Sequence, residues 1–128
     1  LNAFWMASDP AYETPFGRNG KFISYDDLDL YYAGVGGNNN TTTRFRRYHH
    51  GTDKSILQEY TDKEHLLEGN KVYSVKIMVQ DGRTTYSIDG VRYFEFTDIV
   101  PLKEGYFAFR TTRSRQQITN FRIEALSP

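Results

Sequence analysis

Two Asp-Gly dipeptides, Asp81-Gly82 and Asp89-Gly90, restrict this chain more than any other feature. Each separates runs in which side chains alternate: KVYSVKIMVQ before the first, RTTYSI between them, VRYFEF after the second. An Asp-Gly pair suits the tight type I′ hairpin turn, which needs positive φ at both central residues. In the first run Tyr73, Val75, Ile77 and Val79 fall on one face of an extended chain, and Ser74, Lys76 and Gln80 on the other. The pattern predicts a three-stranded antiparallel meander with one face buried.

The same reading extends to both sides. GYFAFRTT (105–112) and ITNFRIEAL (118–126) read as two further strands, with Pro101 and LKEG forming the loop before them. Upstream, AFWMA, KFISY, DLDLYYAGV and TTRFRRYH are candidate strands. KSILQEYTDKEHLLEGN lacks a sustained helical period, so it is expected as strand or loop with at most one helical turn near Lys63 to Leu67, stopped at Gly69-Asn70. Short strands spaced by about 8–12 residues and closed by Gly, Asn and Asp turns indicate an all-β antiparallel sandwich or barrel.

With 128 residues the chain forms one domain, 1–128. Lys plus Arg and Asp plus Glu both number 16, so no overall field draws the chain to nucleic acid or an anionic membrane. Ten Tyr and nine Phe suit a sheet protein, and the lack of Cys excludes disulfides and thiolate chemistry. No run is long enough to be a membrane-spanning helix. The opening LNAFWMASDP has no initiator Met and reads as the inside of a structured segment, so a processed product or fragment is expected.

The C-terminal series VYSVKIMVQDGRTTYSIDGVRYFEFTD and GYFAFRTTRSRQQITNFRIEAL resembles the closing strands of concanavalin-A-like jelly rolls from polysaccharide-degrading bacteria. LNAFWMASDP and LYYAGVGGNNNTTTRFRRY look like a branch of that group related to the YesU-type proteins, a polysaccharide-utilisation family with no activity to carry over. The resemblance implies an antiparallel jelly-roll β-sandwich, a polysaccharide or oligosaccharide ligand, and an extracellular or periplasmic location. It also implies strands before Leu1, so the domain is expected to be incomplete at its N-terminus, with partner strands supplied by a missing N-terminal segment or another chain.

GVGGNNNTTTRFRRYHHG (34–51) carries the densest chemistry. On a strand Arg44, Arg46 and Tyr48 share one face, and Phe45, Arg47 and His49 the other. Two arginines in a row are costly to bury unless carboxylates or another anion meet them. They pair either with Asp26, Asp27 or a Glu on a neighbouring strand, or with an acidic ligand; guanidinium forks match uronate carboxylates and sulfates. β-Elimination on a uronate needs a group to neutralise the carboxylate and a Tyr or His to move the C5 proton. Arg44, Tyr48 and His49 are the candidate catalytic residues, and Arg46 with the Asn38 and Asn40 amides candidate substrate ligands. His49 and His50, as neighbours on a strand, face opposite ways and cannot share a site without a bulge.

Trp5, the sole tryptophan, serves either as a sugar-stacking platform or as core, and Arg110, on the less apolar face of FAFRTT, is placed to join the same groove. Asp27 and Asp29 share a face, but no Glu stands at the spacing of a retaining glycosidase, so they read as solvated or calcium-binding. No cofactor is otherwise expected. GVGG lacks the setting of a nucleotide loop, and no zinc-hydrolase or serine-hydrolase motif is present. The expected function is therefore a carbohydrate-active domain, a lyase or hydrolase of acidic or branched glycan. The alternatives are a non-catalytic carbohydrate-binding module, or a structural domain packed on a larger enzyme.

Overall fold

The computed structural model describes residues 1–12, 15, 17–51 and 53–126. Among them are eight strands: β1 (Asn2–Ser8), β2 (Asp29–Gly36), β3 (Thr42–His49), β4 (Ile56–Tyr60), β5 (Val75–Gln80), β6 (Arg83–Ile88), β7 (Val91–Thr97) and β8 (Tyr106–Arg110). They form a five-stranded sheet in the order β4-β3-β2-β1-β8 and a three-stranded sheet in the order β5-β6-β7, with every pairing antiparallel. The architecture is that of a β-sandwich with hardly any helix.

The three-stranded sheet is the meander expected from the two Asp-Gly pairs. Asp81 and Gly82 have φ of 51° and 77°, and Asp89 and Gly90 have 51° and 78°, the positive values the hairpin turns require. Tyr86, Ile88 and Phe94 from this sheet meet Trp5, Tyr31, Ala33, Val35 and Phe45 from the larger one, making the central core. Trp5 stands among Tyr31, Phe45 and Tyr86 and donates its indole N–H to Thr84 Oγ1 across the sheets at 2.8 Å. A buried donor is satisfied there by the opposite layer.

A polar clasp joins the layers nearby. Asp98, just after β7, accepts hydrogen bonds from Tyr31 Oη at 2.8 Å, Arg47 Nε at 3.1 Å and the Val100 N–H at 2.9 Å. Arg47 also donates to the Tyr48 and Val100 carbonyls. Along the same side, Gln58 of β4 bonds the backbone of Glu95 in β7, and Tyr60 Oη donates to the Tyr93 carbonyl. On the other side β8 and β5 each leave one edge unpaired among the described residues.

The larger sheet is covered on its outer face as well. Phe4, Ala7, Leu28, Leu30, Tyr32 and Tyr48 form a second apolar cluster there, against Phe22 and Tyr25. That is why β2, DLYYAGVG, is buried almost continuously and not on alternate residues. The cover comes from the β1–β2 connection, and KFISY, expected as a strand, is a 3-10 turn over Phe22–Tyr25. Residues three apart eclipse in a 3-10 helix. Phe22 and Tyr25 therefore both face the sheet, while Ile23 between them is exposed.

One further expectation needs correcting. ITNFRIEAL belongs to no strand; Phe121 packs on Phe107 and Phe109, and the segment borders no sheet edge in hydrogen-bonding register. Alternation supplies a strand's side-chain pattern but not its partner. KSILQEYTDKEHLLEGN divides as expected into β4 and a single 3-10 turn, Lys63–His65.

Candidate functional site

The outer face of the five-stranded sheet is laid out by its register. Arg44 of β3 stands opposite Gly34 of β2, Gly34 opposite Asn2 of β1, and Asn2 opposite Arg110 of β8. The next row runs Arg46, Tyr32, Phe4, Ala108. Three inter-strand steps separate Arg44 from Arg110, about 14 Å. Between these arginines the first row offers only the Asn2 amide and a glycine.

Gly34 is required at that place. The Tyr32 ring folds back over it, and a Cβ on Gly34 would collide with the Tyr32 phenol. Tyr32 Oη thus lies in the middle of the row and donates to Asn2 Oδ1 at 3.2 Å. Burial raises the Tyr32 pKa, while Arg110, Arg46 and Arg44 act together to lower it; burial prevails. The phenol is a neutral donor surrounded by three cations. The result is a shallow trough with guanidinium groups at both ends and along one wall.

Each cation is tethered by part of its donor set. Arg44 Nε is ion-paired with Glu59 of β4 at the surface. Arg46 donates to the Lys54 carbonyl at 2.7 Å, and Arg110 Nε to the Gly20 carbonyl at 3.3 Å. Lys54 pairs with Asp26 at 2.8 Å. A guanidinium has five N–H donors, so one or two tethers leave others for a ligand. Phe22 sits at the lower end of the trough with Arg46, Lys54 and Arg110 over its ring at 6.0, 5.2 and 5.5 Å.

Of the residues singled out from sequence, Arg44, Arg46 and Arg110 come together here. Tyr48 shares their face but lies one row further, opposite Leu30 and beneath Phe22, and is fully buried. Among the described residues its hydroxyl has no hydrogen-bond partner; a buried hydroxyl left unmet costs about 1–3 kcal/mol. Burial raises its pKa against the field of Arg46, and in this arrangement the side chain is out of reach from the trough. His49 projects to the opposite face, in register with Asp29. Trp5 is 3% exposed and cannot serve as a stacking platform; its ring completes the inter-sheet core.

The asparagines have a different task. Asn38, Asn39 and Asn40 take φ of 51°, 58° and 61°, building a left-handed turn between β2 and β3 that Asn tolerates better than most residues. Asn40 exchanges two hydrogen bonds with the Leu67 backbone, at 2.7 and 2.8 Å. Neither Asn38 nor Asn40 lies in the arginine rows. The acids are paired too: Asp27 with Arg18, and Asp29 with His50 at 2.7 Å. Among the described residues no group of three or more His, Asp or Glu converges as a metal site.

Sequence reasoning missed Tyr32, Asn2, Gly34, Phe22 and Lys54. The signal for Tyr32 was present: DLYYAGVG is apolar on both faces, so its outer tyrosine had to meet the arginines of the adjoining strand. The partnership of Phe22 and Lys54 depends on a long loop crossing the sheet, which no local pattern specifies.

Residues 1–121 match the family described as a domain of unknown function (DUF6250). No curated protein and no solved structure matches the chain.

Proposed function

We propose, for a chain that belongs to the DUF6250 family of domains of unknown function, that the outer trough binds an acidic oligosaccharide on a scaffold of jelly-roll type. The observation that carries this is the row Arg44–Gly34–Asn2–Arg110, cationic at both ends with the Asn2 amide and the Tyr32 phenol as neutral groups between. A ligand that engages both arginines must be extended over about 14 Å and carry anions at intervals. Guanidinium forks favour carboxylate or sulfate over a neutral hydroxyl. The Asn2 amide and the Tyr32 phenol supply the neutral hydrogen bonds that sugar hydroxyls need.

Binding stands ahead of cleavage in this reading. β-Elimination needs a proton acceptor beside the uronate C5, and the two phenols that the outer sheet face itself supplies, Tyr32 and Tyr48, have raised pKa values. Hydrolysis needs two carboxylates flanking the bond, and Glu59, paired with Arg44, is the only one in the arginine rows. The edges of β5 and β8, unpaired among the described residues, support a second role, docking against further polypeptide, with Val75 and Phe109 exposed along them.

The test is a panel of acidic and neutral oligosaccharides, titrated calorimetrically and incubated while unsaturated uronate and new reducing ends are followed. Binding of acidic members alone, lost in Arg44→Ala and Arg110→Ala, supports the reading. A preference for neutral glycans would refute it. Turnover would move the function from binding to lyase or hydrolase.

A further inference from the structure

The cover over Tyr48 is fastened by the cations of the trough. The connection between β1 and β2 lays Phe22 edge-on to Tyr48, with ring centroids 6.5 Å apart, and the hydroxyl beneath is buried without a partner among the described residues. The same stretch is held at three points, each by a cation of the site. Arg110 donates to the Gly20 carbonyl and lies over both Phe22 and Tyr25; Lys54 binds Asp26 and lies over Phe22; Arg46 lies over Phe22 from β3. Phe22 and Asp26 thus occupy the cations much as an acidic, ring-shaped ligand would.

We propose that residues 20–26 form a displaceable strap over Tyr48, held in place of ligand by Arg46, Lys54 and Arg110, so that ligand binding and strap release are coupled. The coupling rests on the acidic-ligand reading; the cover itself does not. A carboxylate or sulfate that draws off Arg110 and Lys54 removes the Gly20 and Asp26 tethers and two of the three cations over Phe22. What then holds the strap is Arg46 over Phe22, the packing of Phe22 and Tyr25 on Phe4, Tyr32 and Tyr48, and the bond from Arg18 Nη1 to the Ser24 carbonyl at 2.7 Å. Once the strap lifts, the Tyr48 hydroxyl is open to water, next to Arg46. With no partner for that hydroxyl among the described residues, hydration in the open state favours the opening. Tyr48 becomes reachable from solvent in the open state only.

Tyrosine nitration mapped by mass spectrometry tests this without knowing the ligand. The full chain is treated as wild type, as Phe22→Ala and as Lys54→Ala/Arg110→Ala, with Tyr86 of the inter-sheet core as the internal control for folding. Both variants are expected to nitrate Tyr48 about tenfold faster than wild type, with Tyr86 protected throughout. Unchanged protection of Tyr48 in Lys54→Ala/Arg110→Ala would overturn the cation fastening. Unchanged protection in Phe22→Ala would overturn the cover. A third arm adds oligogalacturonate to wild type. Faster Tyr48 nitration on binding supports the coupling, and binding that leaves it unchanged or slower overturns it. Should no acidic glycan bind, the acidic-ligand reading and the coupling fail together, while the two variants still decide whether the strap covers Tyr48.

Discussion

Replacing Asp98 tests the account of how the two sheets are held in register. Its carboxylate collects Tyr31 Oη, Arg47 Nε and the Val100 N–H, and the side chains of Asp98 and Arg47 are each only 6% exposed. In Asp98→Ala the Arg47 guanidinium keeps two backbone carbonyls and a carboxylate 3.6 Å away on Asp29, but loses its nearest counter-charge. Breaking one side of a buried pair costs about 3–5 kcal/mol, and the remaining Asp29 places the expected loss near the lower end. A domain of this size has about 5–15 kcal/mol in total, so the urea midpoint should fall markedly. Replacing both partners, Arg47→Met with Asp98→Leu, should cost less than Asp98→Ala alone, because no buried charge is left unpaired.

The pH dependence of the same clasp has a definite sign. Burial raises the Asp98 pKa, but the Val100 N–H, Tyr31 and Arg47 outweigh it and hold it below the ordinary 3.8. A folded-state value below the unfolded one gives stabilisation that is complete above the unfolded pKa and lost as pH falls through the folded one. The gap between wild type and Asp98→Asn should therefore stay constant from neutral pH to about pH 4 and narrow below it. Equilibrium unfolding across this range supplies both readouts. A loss under about 1 kcal/mol for Asp98→Ala, or a gap indifferent to acid, would refute the reasoning.

Three other substitutions separate core from site. Thr84→Val should destabilise by about 1–3 kcal/mol, since it strands the buried Trp5 indole N–H, and should leave glycan binding intact; unfolding and calorimetry together check it. Gly34→Ala should force the Tyr32 phenol off the trough floor and weaken acidic-oligosaccharide binding more than tenfold, about 1.4 kcal/mol; unchanged affinity would mean the phenol is not part of the site. Asn39→Val should cost about 1–2 kcal/mol, because a β-branched residue is forced to φ of 58°, whereas Asn39→Gly should be close to neutral in thermal unfolding.

Much of the scaffold could be read from short-range pattern. The two Asp-Gly turns determine three strands and the register next to each turn, since a type I′ turn fixes which residues face each other; a bulge at Tyr93 then shifts β7 by one residue against β6. The trough is harder to read, because it is assembled from four strands. Arg44 and Arg46 are adjacent on one strand face, but Asn2 and Arg110 join them only through pairings across β1, β2 and β8. Tyr48 shows the limit of reasoning from one strand. It alternates correctly with the arginines, yet its row pairs with Leu30 under the strap, and so it is core where Arg44 is surface. KFISY alternates well enough for a strand, but its two aromatics are three residues apart, the spacing that places both against the sheet from a 3-10 turn. ITNFRIEAL has a strand's alternation and no strand partner, and a sequence pattern contains no information on whether an edge is within reach.

The measurement that bears most directly on the trough is the affinity for oligogalacturonate compared with its carboxyl-reduced form, by calorimetry at low and high salt. The two ligands share length and ring shape and differ in charge. The account predicts that only the acidic form binds, that binding weakens with salt, and that Arg110→Ala abolishes most of it. Equal affinity for both forms, or salt-independent binding that survives in Arg110→Ala, would contradict it.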